Sequence, residues 1–132
     1  MKKTHLILGL LFFIFFLGTG QYMHFRLQEA FAAKDSLRYS VRANHIYILL
    51  VALLNIVLGL YVVPRPGGWR RVLQNLGSGS IVVSMVLVSL AFFLDTAQPN
   101  RPFTSYGLFL VLAGVIFHFI SGARSQRCER EH

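Results

Sequence analysis

The sequence predicts an all-α integral membrane protein, with four transmembrane helices in an antiparallel bundle. Three observations carry that prediction. Four long uncharged blocks divide the 132-residue chain, and each runs to about 19 residues, which at about 1.5 Å rise per residue reaches about 28 Å, close to the hydrocarbon thickness of a bilayer. The blocks show no alternating polar face, and a lone strand in lipid would leave its amides unpaired, so helix is the state that satisfies the backbone. The later connections are short and contain Pro, Gly or Asn, which turns the chain back on itself.

The first block, "HLILGLLFFIFFLGTGQYM" at residues 5–23, also has the parts of a secretory signal peptide. Lys2 and Lys3 form a basic start, Leu6 to Leu17 an apolar run, and Gly18 and Gly20 the small residues of a cleavage site. Glycines replace the usual alanines weakly, however, and apolar character resumes at Tyr22, Met23 and Phe25. The block is therefore expected to remain as the first span.

The connection that follows lacks Pro and Gly, so the first span is expected to continue to about Ala33, with Asp35 or Ser36 capping a second helix. That helix enters lipid as the second span, residues 45–63. Pro64, Pro66, Gly67 and Gly68 then force a turn. The third span covers residues 76–94, Gln98, Pro99 and Asn100 make the next turn, and the fourth span covers residues 103–121 before a polar tail at residues 122–132. A single domain is expected throughout.

Small residues indicate which faces pack. Gly77, Ser80, Ser84 and Ala91 on the third span, and Gly107, Gly114, His118 and Ser121 on the fourth, recur at three-to-four spacing, which lets backbones approach closely in lipid. Val88 and Leu110 fall on the expected lipid-facing sides. Asn55 lies inside the second span, where its amide needs an interhelical partner such as Ser84.

The net charge is +8, from 13 Lys and Arg against 5 Asp and Glu. In a soluble chain this would suggest nucleic acid, but no basic stripe with interleaved aromatics lies outside the blocks, so topology and anionic headgroups account for the charge. With four spans, Lys2, Lys3, Arg65, Arg70, Arg71, Arg124, Arg127 and Arg130 share one side, and Arg26, Lys34, Arg38, Arg42 and Arg101 the other. The larger set favours both termini in the cytoplasm. Trp69 and Tyr61 suit interfacial anchors on that side, with Tyr22 and Tyr106 near the other.

Two constellations are candidates for chemistry. Arg38, Arg42 and His45 share a face of the second helix that leads on to Asn55, and Asp95 and His24 fall at the same outer level, so this mouth is a candidate site for a headgroup, a quinone or a carboxylate. The second constellation is the histidines: His24 and His45 lie toward the outer ends of two helices, and His5 and His118 toward the inner ends of two others. Facing imidazoles of this kind are how haem b is held in a bundle. Neither a C-x-x-C-H nor any G-x-S-x-G, H-E-x-x-H or phosphate-loop motif occurs, and no acidic residue lies within a span. Cys128, the lone cysteine, has no partner for an internal disulfide or a zinc site.

The span count, the charge and Arg42 to Asn44 resemble the membrane-associated eicosanoid and glutathione enzymes. That family's pattern continues with a Glu about a turn later, where this chain has Ile48, Leu49 and Leu50, and the chain is not assigned to it. The leading expectation is a small non-catalytic membrane protein that acts by association, as the accessory subunit of a larger complex or as a homo-oligomer. The alternative is a protein that binds haem b, a quinone or another lipophilic ligand. Retention of the first block makes an immediate prediction: the intact mass of the mature chain should correspond to a start at Met1. A product beginning at Gln21 would leave three spans.

Overall fold

The computed structural model describes residues 2–63, 67–95 and 100–123. Five helices account for nearly all of them: α1 (Lys2–Arg26), α2 (Gln28–Ala33), α3 (Asp35–Tyr61), α4 (Gly68–Leu94) and α5 (Pro102–Ala123). No strand occurs among the described residues. The four long helices are each long and apolar enough to cross a membrane. The expected turn at Pro64 and Pro66, the residues Gln98 and Pro99, and the tail with Arg124, Arg127, Cys128 and Arg130 lie outside the described residues.

Three boundaries differ from expectation. The first helix does not run unbroken to Ala33: it stops at Arg26, bends at Leu27 (φ −108°, ψ 0°) and resumes as α2. Neither Pro nor Gly causes the bend. It is accompanied by packing, since Phe31 is buried and Leu27 lies against the same apolar core. Lys34 rather than Asp35 or Ser36 caps α3, in extended conformation and with no side-chain cap bond. Asp35, inside the first turn, pairs instead with Arg38 at 3.0 Å. The third long helix also begins at Gly68, so Trp69, Arg70 and Arg71 are helical.

α3 and α4 form the centre. Buried positions on α3 include Val41, Asn44, Ile48, Val51, Asn55 and Leu58, and those on α4 include Gln74, Ser78, Ile81, Met85, Val88 and Phe92. Both series alternate steps of three and four, the repeat of a coiled-coil seam. α1 packs along α3 and α5 along α4, while α3 meets α4 between them. α1 inverts the pattern of a soluble helix: its buried residues are His5, Gly9 and Thr19, whereas Ile7, Leu10, Leu11, Ile14 and Leu17 are exposed. Small and polar groups inside with large apolar groups outside suit a helix whose surroundings are as apolar as leucine.

Glycines set the closest approaches. A Cβ on Gly59 would lie 2.6 Å from the backbone nitrogen of Leu6, and one on Gly9 2.7 Å from that of Ile56. On the other pair, a Cβ on Gly77 would meet the Gly114 carbonyl at 2.9 Å, and one on Gly107 would meet Val88 Cγ2 at 2.8 Å. The α4 and α5 contacts use the small residues that the spacing singled out. Val88 corrects that reading, since it is 0% exposed and packs on Gly107 rather than facing outward. Leu110 is half-buried.

These contacts predict opposite signs for one chemical change. Gly59→Ala should destabilise the detergent-solubilised protein by about 1–3 kcal/mol, because backbone rather than a movable side chain opposes the new methyl. Gly18, with nothing near its added Cβ, should gain up to about 1 kcal/mol as Ala through helix propensity. Thermal unfolding of the two variants beside the parent checks both signs.

Candidate functional site

The expected outer mouth resolves into separate arrangements. Asp95, 1% exposed, follows α4 and turns to α5, where its Oδ2 accepts hydrogen bonds from the backbone N–H and the hydroxyl of Thr104, both at 2.7 Å. Thr104 is the third residue of α5, so the carboxylate satisfies an amide that has no partner within the helix and places negative charge at the helix's positive end. An Arg at the cap position cannot accept that bond, and Asp95 supplies it from the preceding helix.

Asn44 ties α3 to the same point. Its Nδ2 donates to the Ala91 carbonyl at 2.7 Å, in the last turn of α4. Its Oδ1 accepts from Arg101 Nη2, which also donates to the Ser40 carbonyl at 3.2 Å, and lies 3.0 Å from the Thr104 hydroxyl. Arg101 reaches this position from a left-handed backbone, φ +42°, a conformation that costs of order 1–3 kcal/mol in a non-glycine residue. Three helices are thereby joined through groups that would otherwise require water.

Arg38, Arg42 and His45 take no part in this cluster, and the one ion pair among the described residues is Arg38 with Asp35. His45 instead stacks on Phe16, with ring centroids 4.1 Å apart, and lies 3.0 Å from the Thr19 hydroxyl. Arg42 is exposed and lines an open pocket of about 220 Å³ with Gly20, Met23, His24, Gln28 and Phe31. His24 bonds Gln28 at 3.3 Å.

Asn55 belongs to the opposite end of the molecule. Thirteen residues separate it from Arg42, about 20 Å along a helix, and its Oδ1 lies 2.7 Å from His5 Nδ1 on α1. The amide thus finds an interhelical partner, but His5 rather than Ser84, whose hydroxyl donates to Ile81 O in its own helix. His5 is 3% exposed. Beside it stands His118, ring centroids 6.4 Å apart and edge to face, with His118 Nε2 3.3 Å from Ser78 Oγ.

A cleft of about 310 Å³ opens next to this pair, lined by Thr4 and His5 of α1 and Asn75, Ser78, Gly79 and Val82 of α4. It exists because α1 packs on α3 and scarcely touches α4. Its walls are mostly carbon, with few polar atoms, the make-up of a site for an apolar molecule with one polar end.

The structure brings two of the four expected haem histidines, His5 and His118, together. The bonded nitrogens have different neighbours: His5 Nδ1 faces Asn55 and His118 Nε2 lies near Ser78. His24 and His45 have separate partners, Gln28 and Thr19. No group of three or more metal-ligating side chains occurs among the described residues. No protein-family model, curated protein or solved structure matches the chain.

Thermodynamic coupling should follow the observed bonds. Thr104→Val should cost about 1–3 kcal/mol through the lost hydroxyl. Its effect should be non-additive with Asp95→Asn, whereas Arg42→Gln should add independently to either. Unfolding of the single and double variants in detergent measures the cycle.

Proposed function

We propose that the chain is an integral membrane protein, its four long helices crossing the bilayer as an antiparallel bundle with both termini cytoplasmic, and that it binds the polar end of a lipophilic small molecule between α1 and α4. The observation that carries the ligand reading is the cleft with His5 in its wall. A buried imidazole beside a lipid-accessible opening is costly unless bonded, and polar groups retained at such positions are functional by default.

The antiparallel arrangement is supported by the order of contacts: Gly9 meets Ile56 while Gly20 meets His45, and Gly77 meets Gly114 while Gly107 meets Val88. Thirty large apolar side chains are exposed among the described residues, which suits a surface covered by acyl chains. The eight cations on the side of the termini support the orientation, and the outer Arg42 pocket suits contact with anionic headgroups. In this reading the protein binds and carries out no chemistry.

Association with other membrane subunits, or with a second copy, is the second reading. It is favoured by α1, which is the least buried of the four long helices. The two readings are compatible, since the cleft faces α4 and the outer side of α1 is separate from it.

The ligand reading is tested by filling the cleft. Gly79 has nothing within reach of an added Cβ, so Gly79→Phe projects a ring at the opening without breaking a contact. Protein purified in native lipid discs should carry a lipophilic compound approaching one per chain, measured by mass spectrometry of the organic extract. Gly79→Phe should lower its amount at least tenfold, and Gly18→Phe should leave it unchanged. Equal recovery from all three proteins would overturn the reading.

A further inference from the structure

The hydrogen bond between His5 and Asn55 specifies more than the position of the ring. Asn55 Nδ2 donates to the Val51 carbonyl at 2.8 Å, which fixes the amide so that Oδ1 is the atom facing His5. A carbonyl oxygen only accepts, so the proton in the 2.7 Å contact resides on His5 Nδ1. An uncharged imidazole has one ring proton, and here it is committed. Nε2 is therefore a lone pair, and no described side chain bonds to it.

His5 lines the cleft together with the hydroxyl-bearing Thr4 and Ser78. A ligand that presents a carbonyl or ether oxygen to Nε2 would set one lone pair against another. A hydroxyl instead gives its proton to Nε2 and offers its oxygen to the neighbouring hydroxyls. Free cations are disfavoured, since Lys2 and Lys3 flank the same end of α1. Resting on the reading of this cleft as a ligand site, we infer that its occupant is an uncharged amphiphile with a hydroxyl on its polar end, phenolic or aliphatic, and that His5 Nε2 is the acceptor that selects it. The ring proton held by Asn55 makes the site a reader of donors. A volume of about 310 Å³ suits the ring-sized head of such a molecule, with its tail running out between the helices into lipid.

This differs from what binding by hydrophobicity alone would give. Apolar contact discriminates weakly between an alcohol and its methyl ether, whereas a buried acceptor left without a donor loses a hydrogen bond and strands a polar atom.

The test uses the full-length protein with ¹⁵N-labelled histidine in phosphatidylcholine nanodiscs. The probes are 4-octylphenol, 4-octylcyclohexanol and 4-octylanisole. Nitrogen NMR of the free protein should show His5 with a protonated Nδ1 and an unprotonated Nε2. One of the two alcohols should saturably shift the Nε2 resonance and bind at least tenfold more tightly than the ether, and the better alcohol identifies the head as aromatic or aliphatic. Gly79→Phe should abolish the response. A proton on Nε2 in the free protein would overturn the inference, as would equal binding of alcohol and ether that Gly79→Phe still blocks; in that second case the cleft stands as a ligand site. Absence of any saturable, Gly79→Phe-sensitive effect from all three probes would remove the cleft reading along with the inference.

Discussion

The end of a helix leaves backbone groups without partners, and in this molecule the ends of α4 and α5 find them in side chains from elsewhere in the chain. Asn44 covers a carbonyl in the last turn of α4, and Asp95 accepts an amide in the first turn of α5. Arg101, held between Ser40 and Asn44, closes the same cluster. The geometry of the remainder depends on this junction. It sets the level at which α4 and α5 start beside one another, and through Asn44 it sets where α3 crosses them. Removing one member would strand the others in a region with little water, which makes the junction cooperative rather than a sum of separate bonds.

Away from the junction the helices are held by proximity. In the proposed bilayer setting, leucine against leucine gains little over leucine against lipid, and stability rests on close backbone approach and on polar pairs. Gly59 against Leu6 and Gly77 against Gly114 supply the first; His45 with Thr19 and His5 with Asn55 supply the second. The α1–α3 and α4–α5 pairs have both kinds of contact, and α3 is tied to α4 by Asn44. Between α1 and α4 neither is present, and the cleft is the result. The opening is thus a consequence of which helices hold glycine-mediated contacts, and His5 stands at its edge because Asn55 holds it from the α3 side.

The polar residues divide by what remains unsatisfied. Thr19, Ser84 and Ser121 return their hydroxyl protons to carbonyls of their own helices, which leaves them compatible with any apolar neighbour. Asn55 uses both ends of its amide. His5 bonds Asn55 through Nδ1, and in the proposed reading its Nε2 is the atom left for a ligand. His118 lies edge to face with His5, 3.3 Å from Ser78 through its Nε2.

The all-helical character and the four long apolar helices follow from local information alone. Length, absence of charge and the requirement for internal backbone bonding act within one segment and need no knowledge of neighbours. Gly77, Gly107 and Gly114 were legible for the same reason, since their spacing lies on a single helix. The sites were not. His5 reads as an isolated residue near the start of the chain, and Asn55 as an amide in search of a partner, until two helices are set beside one another in one register. A shift of one turn would pair them with other residues. Arg42, His45 and Asp95 show the converse: they share an expected level along the helix axes, but side chains at one level need not face one another. The rotation of each helix about its axis separates Asp95 from His45, and that rotation is decided by glycine contacts and helix-end bonds between segments far apart in the chain.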